Sequence, residues 1–171
     1  MTAVKQREED AMAATKELPD IAEVLAGILQ RVPPGQHAVL IALAERLAAE
    51  RYRGWASEVA GPDRRAGLLA CADREEEIAR RVEALYPAAG ATQRDLLASQ
   101  PDLLELNRTL FAGRPLGQQF LLQARGERLG AATWRAFAQG EKTAERRDTF
   151  LGCALLEEES AAYLESIVGD A

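Results

Sequence analysis

Apolar residues recur three and four positions apart along most of the chain, which is the spacing of one face of an α-helix. Proline and glycine interrupt this pattern, as at Pro33-Pro34-Gly35 and Gly61-Pro62. No segment alternates apolar and polar residues convincingly, as a half-buried strand would. The pattern predicts an all-α protein with a short helix after Asp20 and further helices over about 36–60, 63–85, 102–112, 116–139 and 143–168.

The helical pattern occurs twice. Residues 19–86 align without gaps to residues 101–168, 82 positions later, and 24 of the 68 aligned pairs are identical. A composition this rich in Ala, Leu, Glu and Arg gives roughly 9% identity by chance. We infer an internal tandem duplication in which each copy holds one short and two long helices. Residues 1–18 are expected to form a flexible tail, and residues 19–171 a single bundle.

The join between the two copies, residues 87–115, is too long for a tight hairpin. A helix of 25 residues is about 37 Å long, and a join of this length can run from one end of such a helix to the other. Two antiparallel helix pairs connected in this way form a four-helix bundle with one long crossover. The sequence therefore predicts this architecture.

Composition narrows the classes of function. The 171 residues include two cysteines and one histidine, which excludes a disulfide scaffold and any site that needs two histidines. We expect a reducing, cytoplasmic environment, because no secretory signal or membrane span is evident. The net charge of −6 disfavours a general phosphate-backbone binder, so no nucleic-acid or membrane partner is expected.

The short first helix raises the question of assembly. Its apolar face, formed by Ile21, Val24, Leu25 and Ile28, needs cover from its own bundle or from a second subunit. We expect a homodimer or a higher homo-oligomer.

One glutamate lies on the apolar stripe of each long helix: Glu45, Glu75, Glu127 and Glu157. The spacing within each copy is the same, 30 residues. Unpaired carboxylates in a core cost several kcal/mol each. If the four turn inward, something must neutralise them: a metal ion, protons, or nearby arginines. Alternatively, they lie on the surface of the bundle. Candidate arginines on the same helices include Arg46, Arg53, Arg128 and Arg135.

Cys71 and Cys153 each lie one helical turn before a striped glutamate, at equivalent positions of the two copies. They are candidates for additional metal ligands or for a thiol pair. The alternative is that both are small buried core residues.

The residues around the four glutamates form a recognisable sequence pattern in the four long helices. It comprises Glu45, Ala48, Tyr52 and Ala56 in the first long helix, Glu75-Glu-Glu-Ile78-Ala79 in the second, Gly126-Glu127 in the third and Glu157-Glu-Glu-Ser160 in the fourth. Over about 33–86 and 115–168 this pattern resembles the ferritin-like superfamily, the rubrerythrin branch most of all. The resemblance implies a bundle built from a duplicated helix pair, with inward ligands that hold two irons.

The chain departs from that family at the nitrogen ligands. The family has Glu-x-x-His in its second and fourth long helices, and the two histidine positions are Ile78 and Ser160 here. Gly130 stands where rubrerythrins add another glutamate. Neither Ile78 nor Ser160 replaces imidazole as a strong nitrogen ligand.

Three functional hypotheses follow. The first is a non-catalytic binding or scaffold protein whose di-iron site is lost or remodelled and which binds no metal. The alternative is a divergent oxidoreductase that uses Glu45, Glu75, Glu127 and Glu157 to hold iron or manganese and acts on dioxygen or peroxide. The third is a bundle that holds a small apolar ligand at its centre.

Overall fold

A computed structural model describes residues 18–170 of the chain. This part contains seven α-helices and no strand, so the predicted all-α class is confirmed. The helices are α1 (Ile21–Leu29), α2 (His37–Glu58), α3 (Pro62–Ala84), α4 (Ala89–Ser99), α5 (Asp102–Phe111), α6 (Leu116–Gly140) and α7 (Ala144–Ile167). The predicted tail lies outside the described residues except for Leu18, which packs against the core.

Local signals place the helix ends close to where the sequence predicts them. The carboxylate of Asp20 accepts hydrogen bonds from the backbone N–H groups of Ala22 and Glu23 and caps α1. Thr143 caps α7 through a bond from the N–H of Arg146. Between α2 and α3, Gly61 adopts φ +91°, which only glycine reaches without strain, and Pro62 begins the next helix.

The prediction for residues 87–101 as a connection without a helix is wrong. This segment contains α4, and Gly90 lies in its first turn instead of ending the preceding structure. Leu96 of α4 is buried in a cluster with Val32, Leu40 and Leu103. Tertiary packing of this apolar residue outweighs the low helix propensity of one glycine, about 1 kcal/mol relative to alanine.

The long helices pack as two pairs, α2 with α3 and α6 with α7, and α3 also packs against α7. The backbones of α2 and α6 hardly approach each other. The short helix α1 lies against α6, and its apolar face lines a cavity between α2 and α6. That face is therefore partly covered from within the chain, since Ile21, Val24, Leu25 and Ile28 are half-buried. The homo-oligomer expected from this face stays a prediction.

The core has two main apolar clusters. One contains Tyr52 and Phe120, and the other contains Trp134 and Phe150. Along each long helix the apolar residues of one cluster are followed by a glutamate and then by residues of the other cluster. The four glutamates therefore form a polar layer between two apolar clusters.

Among the described residues, no helix is both long enough and apolar enough to cross a lipid bilayer.

Two glycines near the turn between α2 and α3 test the backbone assignment. Gly61→Ala is expected to lower the free energy of unfolding by about 1 kcal/mol, because φ +91° strains any residue with a Cβ. Gly54→Ala is the matched control. It lies in α2 with open space around an added Cβ, and it should raise the stability by up to about 1 kcal/mol. Urea denaturation measures both values, and a loss at Gly54 with no loss at Gly61 would contradict the assignment.

Candidate metal centre

The structure brings the four predicted glutamates together. One carboxylate oxygen from each of Glu45, Glu75, Glu127 and Glu157 lies within 4.8 Å of the corresponding oxygens of the others. All four side chains are buried, the most accessible being Glu45 at 7% exposure. The alternative that they lie on the surface of the protein is wrong.

Two of the carboxylates are held by donors from large buried side chains. The hydroxyl of Tyr52 donates to Oε1 of Glu127 at 2.6 Å, and the amide of Gln123 donates to the same oxygen at 2.7 Å. The indole N–H of Trp134 donates to Oε1 of Glu157 at 2.7 Å. Tyr52 and Trp134 are fully buried core residues, and they also orient the carboxylates.

The third glutamate, Glu75, is only half satisfied. The hydroxyl of Ser160 donates to its Oε1 at 2.8 Å, while its Oε2 is buried without any hydrogen-bond partner. Ser160 occupies one of the two positions where the resemblance places a histidine, and it acts on a carboxylate from the neighbouring helix. A buried acceptor without a partner costs about 1–3 kcal/mol, so this oxygen is suited to a proton or a cation.

Gly130 makes room for Glu157. A Cβ at this position would lie 2.6 Å from Oε1 of Glu157, closer than any normal contact. The glycine found where rubrerythrins carry a further glutamate therefore lets the carboxylate of Glu157 lie against the backbone of α6.

No ion pair neutralises the cluster within the described residues. The four arginines proposed from the sequence pair with other glutamates: Arg46 with Glu83, Arg53 with Glu76, Arg128 with Glu165 and Arg135 with Glu158. These bridges connect α2 to α3 and α6 to α7 on the outer faces of the helices. Neutralisation by these four arginines is therefore wrong. Burial raises the pKa of Glu45 in spite of the opposing positive charge of Arg51, so protons or a metal ion are left.

Burial makes the carboxyl groups hold protons strongly. It is the main cause that raises the pKa of Glu45 to about 8, with the negative charge of Glu127 second. Burial and the charge of Glu127 also raise the pKa of Glu75 well above its usual value. Burial and the charge of Glu45 do the same for the pKa of Glu157. Without a cation, much of this cluster is protonated at neutral pH.

A polar network beside Glu127 was missed by the sequence analysis. Arg51 donates to the amide oxygen of Gln123 at 2.8 and 3.0 Å and to the side-chain oxygen of Asn107 at 2.9 Å, and its guanidinium lies 3.8 Å from the centroid of the Phe111 ring. Because its oxygen accepts from Arg51, the Gln123 amide presents its N–H₂ group to Glu127. The spacing of four residues between Gln123 and Glu127 is the signal that could have revealed this contact.

The two cysteines do not join the oxygen cluster. Both are free thiols with fully buried side chains, and neither belongs to the set of ligand atoms within 4.8 Å of one another. Burial raises the pKa of Cys71 to about 11 and that of Cys153 to about 12. Both sulfurs are therefore protonated at neutral pH in the metal-free protein, and their position outside this set of atoms argues against them as ligands of the same ion.

A cavity of about 170 Å³ reaches the cluster from the side of α1. It lies between α2 and α6, and Glu45, Glu127 and Glu157 form part of its wall. Helices α1 and α5 contribute mainly apolar side chains. The carboxylates are therefore open to a small molecule from one direction.

Comparison of the chain with family models, with curated proteins and with solved structures finds no match.

The raised pKa values predict how the stability of the metal-free protein depends on pH. The unfolded chain releases these protons near pH 4.5, whereas the folded chain holds that of Glu45 until about pH 8. The folded state thus binds more protons in this range, and stability falls as pH rises, by about 1.4 kcal/mol per pH unit for each extra proton. Urea denaturation with a chelator at pH 5, 6.5 and 8 measures the slope.

Glu75→Gln imitates the protonated acid and should reduce that slope, because the amide does not ionise in the unfolded chain. It should therefore stabilise the metal-free protein at pH 8 more than at pH 5. Glu76→Gln, at the exposed neighbouring position, is the matched control and should leave the slope unchanged. A stability that rises from pH 5 to pH 8, or equal slopes for both variants, contradicts the assignment.

Burial also predicts that both thiols are inert in the folded protein. Neither Cys71 nor Cys153 should react with a thiol-specific reagent at pH 8 until the chain unfolds, because each is inaccessible and protonated. The rate of modification in increasing urea should follow global unfolding. Rapid reaction of one thiol in native protein is the contrary result.

Proposed function

We propose that this chain is a ferritin-like four-helix bundle, formed by an internal duplication, whose di-iron site has been remodelled into a site that binds divalent metal through carboxylate oxygens alone. The ligands are Glu45, Glu75, Glu127 and Glu157. The long helices α2, α3, α6 and α7 form the bundle, and the segment with α4 and α5 is its crossover. Four buried carboxyl groups that converge without a paired cation carry this assignment.

The size of the cluster supports a metal ion. Metal–oxygen distances of about 2.1 Å for Mg²⁺ to about 2.5 Å for Ca²⁺ place ligand oxygens roughly 3 to 5 Å apart. The four glutamate oxygens lie within 4.8 Å of one another, which fits this range. Small side-chain movements are enough to close them around an ion.

The chemistry of the donors narrows the choice of metal. Carboxylate oxygens are hard ligands that suit Mg²⁺, Mn²⁺, Ca²⁺ and Fe²⁺, whereas zinc and copper sites favour imidazole and thiolate. Ile78 and Ser160 supply no nitrogen ligand, and the two cysteines lie outside the set of converging ligand atoms. We infer that Mn²⁺ and Fe²⁺ are the redox-active ions that fit this donor set.

The surrounding residues are arranged as an outer shell of a metal site. Tyr52, Gln123, Trp134 and Ser160 each donate to a carboxylate oxygen and restrict its rotation. The Oε2 atom of Glu75 is buried without a hydrogen-bond partner, so it is available to bind a cation. A bound divalent cation would supply positive charge to all four groups and, as Mn²⁺ or Fe²⁺, the capacity for electron transfer.

A second candidate function is a metal-dependent oxidoreductase. The cavity that reaches Glu45, Glu127 and Glu157 favours it, because a purely structural ion needs no access for a small molecule. In this role the chain would exclude bulk water and hold the reactants close to the carboxylates. A bundle that binds no metal and acts as a scaffold is the remaining alternative, which the metal-binding experiment decides.

Metal binding can be tested with matched glutamate variants. The protein, stripped with chelator and dialysed against Mn²⁺ or, without oxygen, Fe²⁺, should bind a stoichiometric amount of the ion. Glu75→Gln and Glu157→Gln should weaken binding by at least roughly tenfold, because each removes a charged ligand. Elemental analysis and equilibrium dialysis measure stoichiometry and affinity.

The controls are Glu76→Gln and Glu158→Gln, which change the charge at the next residue of the same helices. Both residues form surface ion pairs with arginines, so the affinity should be unchanged. Failure of wild-type protein to bind any divalent ion, or equal losses in site and control variants, rejects the proposed metal site and favours the scaffold.

A further inference from the structure

The cavity beside the glutamates has a structural origin in the helix sequences. Four of the residues that line it from α2 and α6 are small: Ala44, Ala48, Gly126 and Gly130. The backbones of α2 and α6 do not pack against each other, and the space between them is covered by α1 and α5. The cavity is thus a space that small residues leave open in this interface.

The wall of the cavity is apolar on one side. Its apolar lining includes Val24, Leu25 and Ile28 of α1, together with Ile41 and Leu129. Three of the residues on the other side, Arg51, Asn107 and Gln123, are polar. Their side chains are already hydrogen-bonded to one another, and Gln123 is also bonded to Glu127. The polar side therefore has few free groups to bind a charged ligand.

The sequence repeat shows that the polar residues and the apolar residues of the cavity occupy equivalent positions of the two copies. At the spacing of 82 residues, Arg51, Asn107 and Gln123 align with Thr133, Leu25 and Ile41, all of which line the same cavity. The bonded polar network, to which both copies contribute, thus has as its repeat counterparts two aliphatic residues and a threonine. The lining of the cavity is therefore asymmetric, with apolar residues at only one of the two sets of equivalent positions.

We propose that this cavity binds a small, uncharged, apolar molecule of about the size of one aromatic ring, next to the carboxylate cluster. Its volume of about 170 Å³ is close to the roughly 150 Å³ of an engineered apolar cavity that takes up benzene. The aliphatic residues of α1 and the hydrogen bonds that already occupy Arg51, Asn107 and Gln123 leave few free polar groups for a charged organic molecule, which favours a neutral ligand. That such a molecule is a substrate rests on the proposed metal site, whereas its binding does not.

Binding is tested on the metal-free protein with benzene and toluene as probes. Methyl NMR of the isoleucine, leucine and valine residues should show saturable shifts confined to the residues that line the cavity. Gly126→Leu should weaken binding by roughly tenfold or more, because the new side chain occupies the space beside the small residues. An added Cβ at Gly126 meets nothing within 4 Å, so the substitution has room.

The matched control is Gly54→Leu, a helical glycine with the same open surroundings that does not line the cavity, and it should bind toluene like the wild type. If Gly126→Leu does not fold, Ala48→Leu, at a buried position of the cavity wall, is the second filling variant. Absence of saturable binding, binding unaffected by the filling variant, or tighter binding of benzoate or benzylammonium than of toluene overturns the proposal.

The result is separable from the metal experiment. Protein that takes up toluene but no metal retains this site and loses the proposed metal centre. Protein that binds metal but no toluene loses the cavity site alone.

Discussion

Four carboxyl groups buried within 4.8 Å of one another are the constraint on which the rest of the structure depends. Their charges cannot all be present without compensation, because removing each from water costs several kcal/mol and their mutual repulsion adds to this cost. No arginine or lysine of the described chain forms an ion pair with them. The fold must therefore be completed by protons or by a cation, and either choice makes its stability depend on solution conditions.

The surrounding residues accommodate this constraint locally. Tyr52 and Trp134 present an apolar ring to each core cluster and a donor to a glutamate, so the polar layer is bonded without opening the core to water. Gly130 leaves space for Glu157, and the hydroxyl of Ser160 donates to Glu75. Gly130 also lines the cavity between α2 and α6, so the carboxylate cluster and the cavity share this residue.

Sequence reasoning reached the helices and the four glutamates because both depend on periodicity. Asp20, Gly61 and Thr143 mark helix ends through local backbone chemistry, which needs no knowledge of the fold. Helix α4 was missed because Leu96 is stabilised by contacts with residues distant in sequence. Arg51 and Gln123 were missed for the same reason, since their bonds join α2 to α6. The arginines proposed as counter-ions lie on the same helices as Glu45 and Glu127 but face outward. Their positions around the helix differ from those of the two glutamates by about one residue.

The most direct test of the central claim is the number of protons that the protein releases when it binds a divalent cation at pH 7. A pH indicator in weakly buffered solution measures it during titration of chelator-stripped protein with Mn²⁺. Because Glu45, Glu75 and Glu157 hold protons in the absence of metal, saturation should release more than one proton per chain. Binding without proton release would contradict the account, since the carboxylates would then be either ionised already or not the ligands.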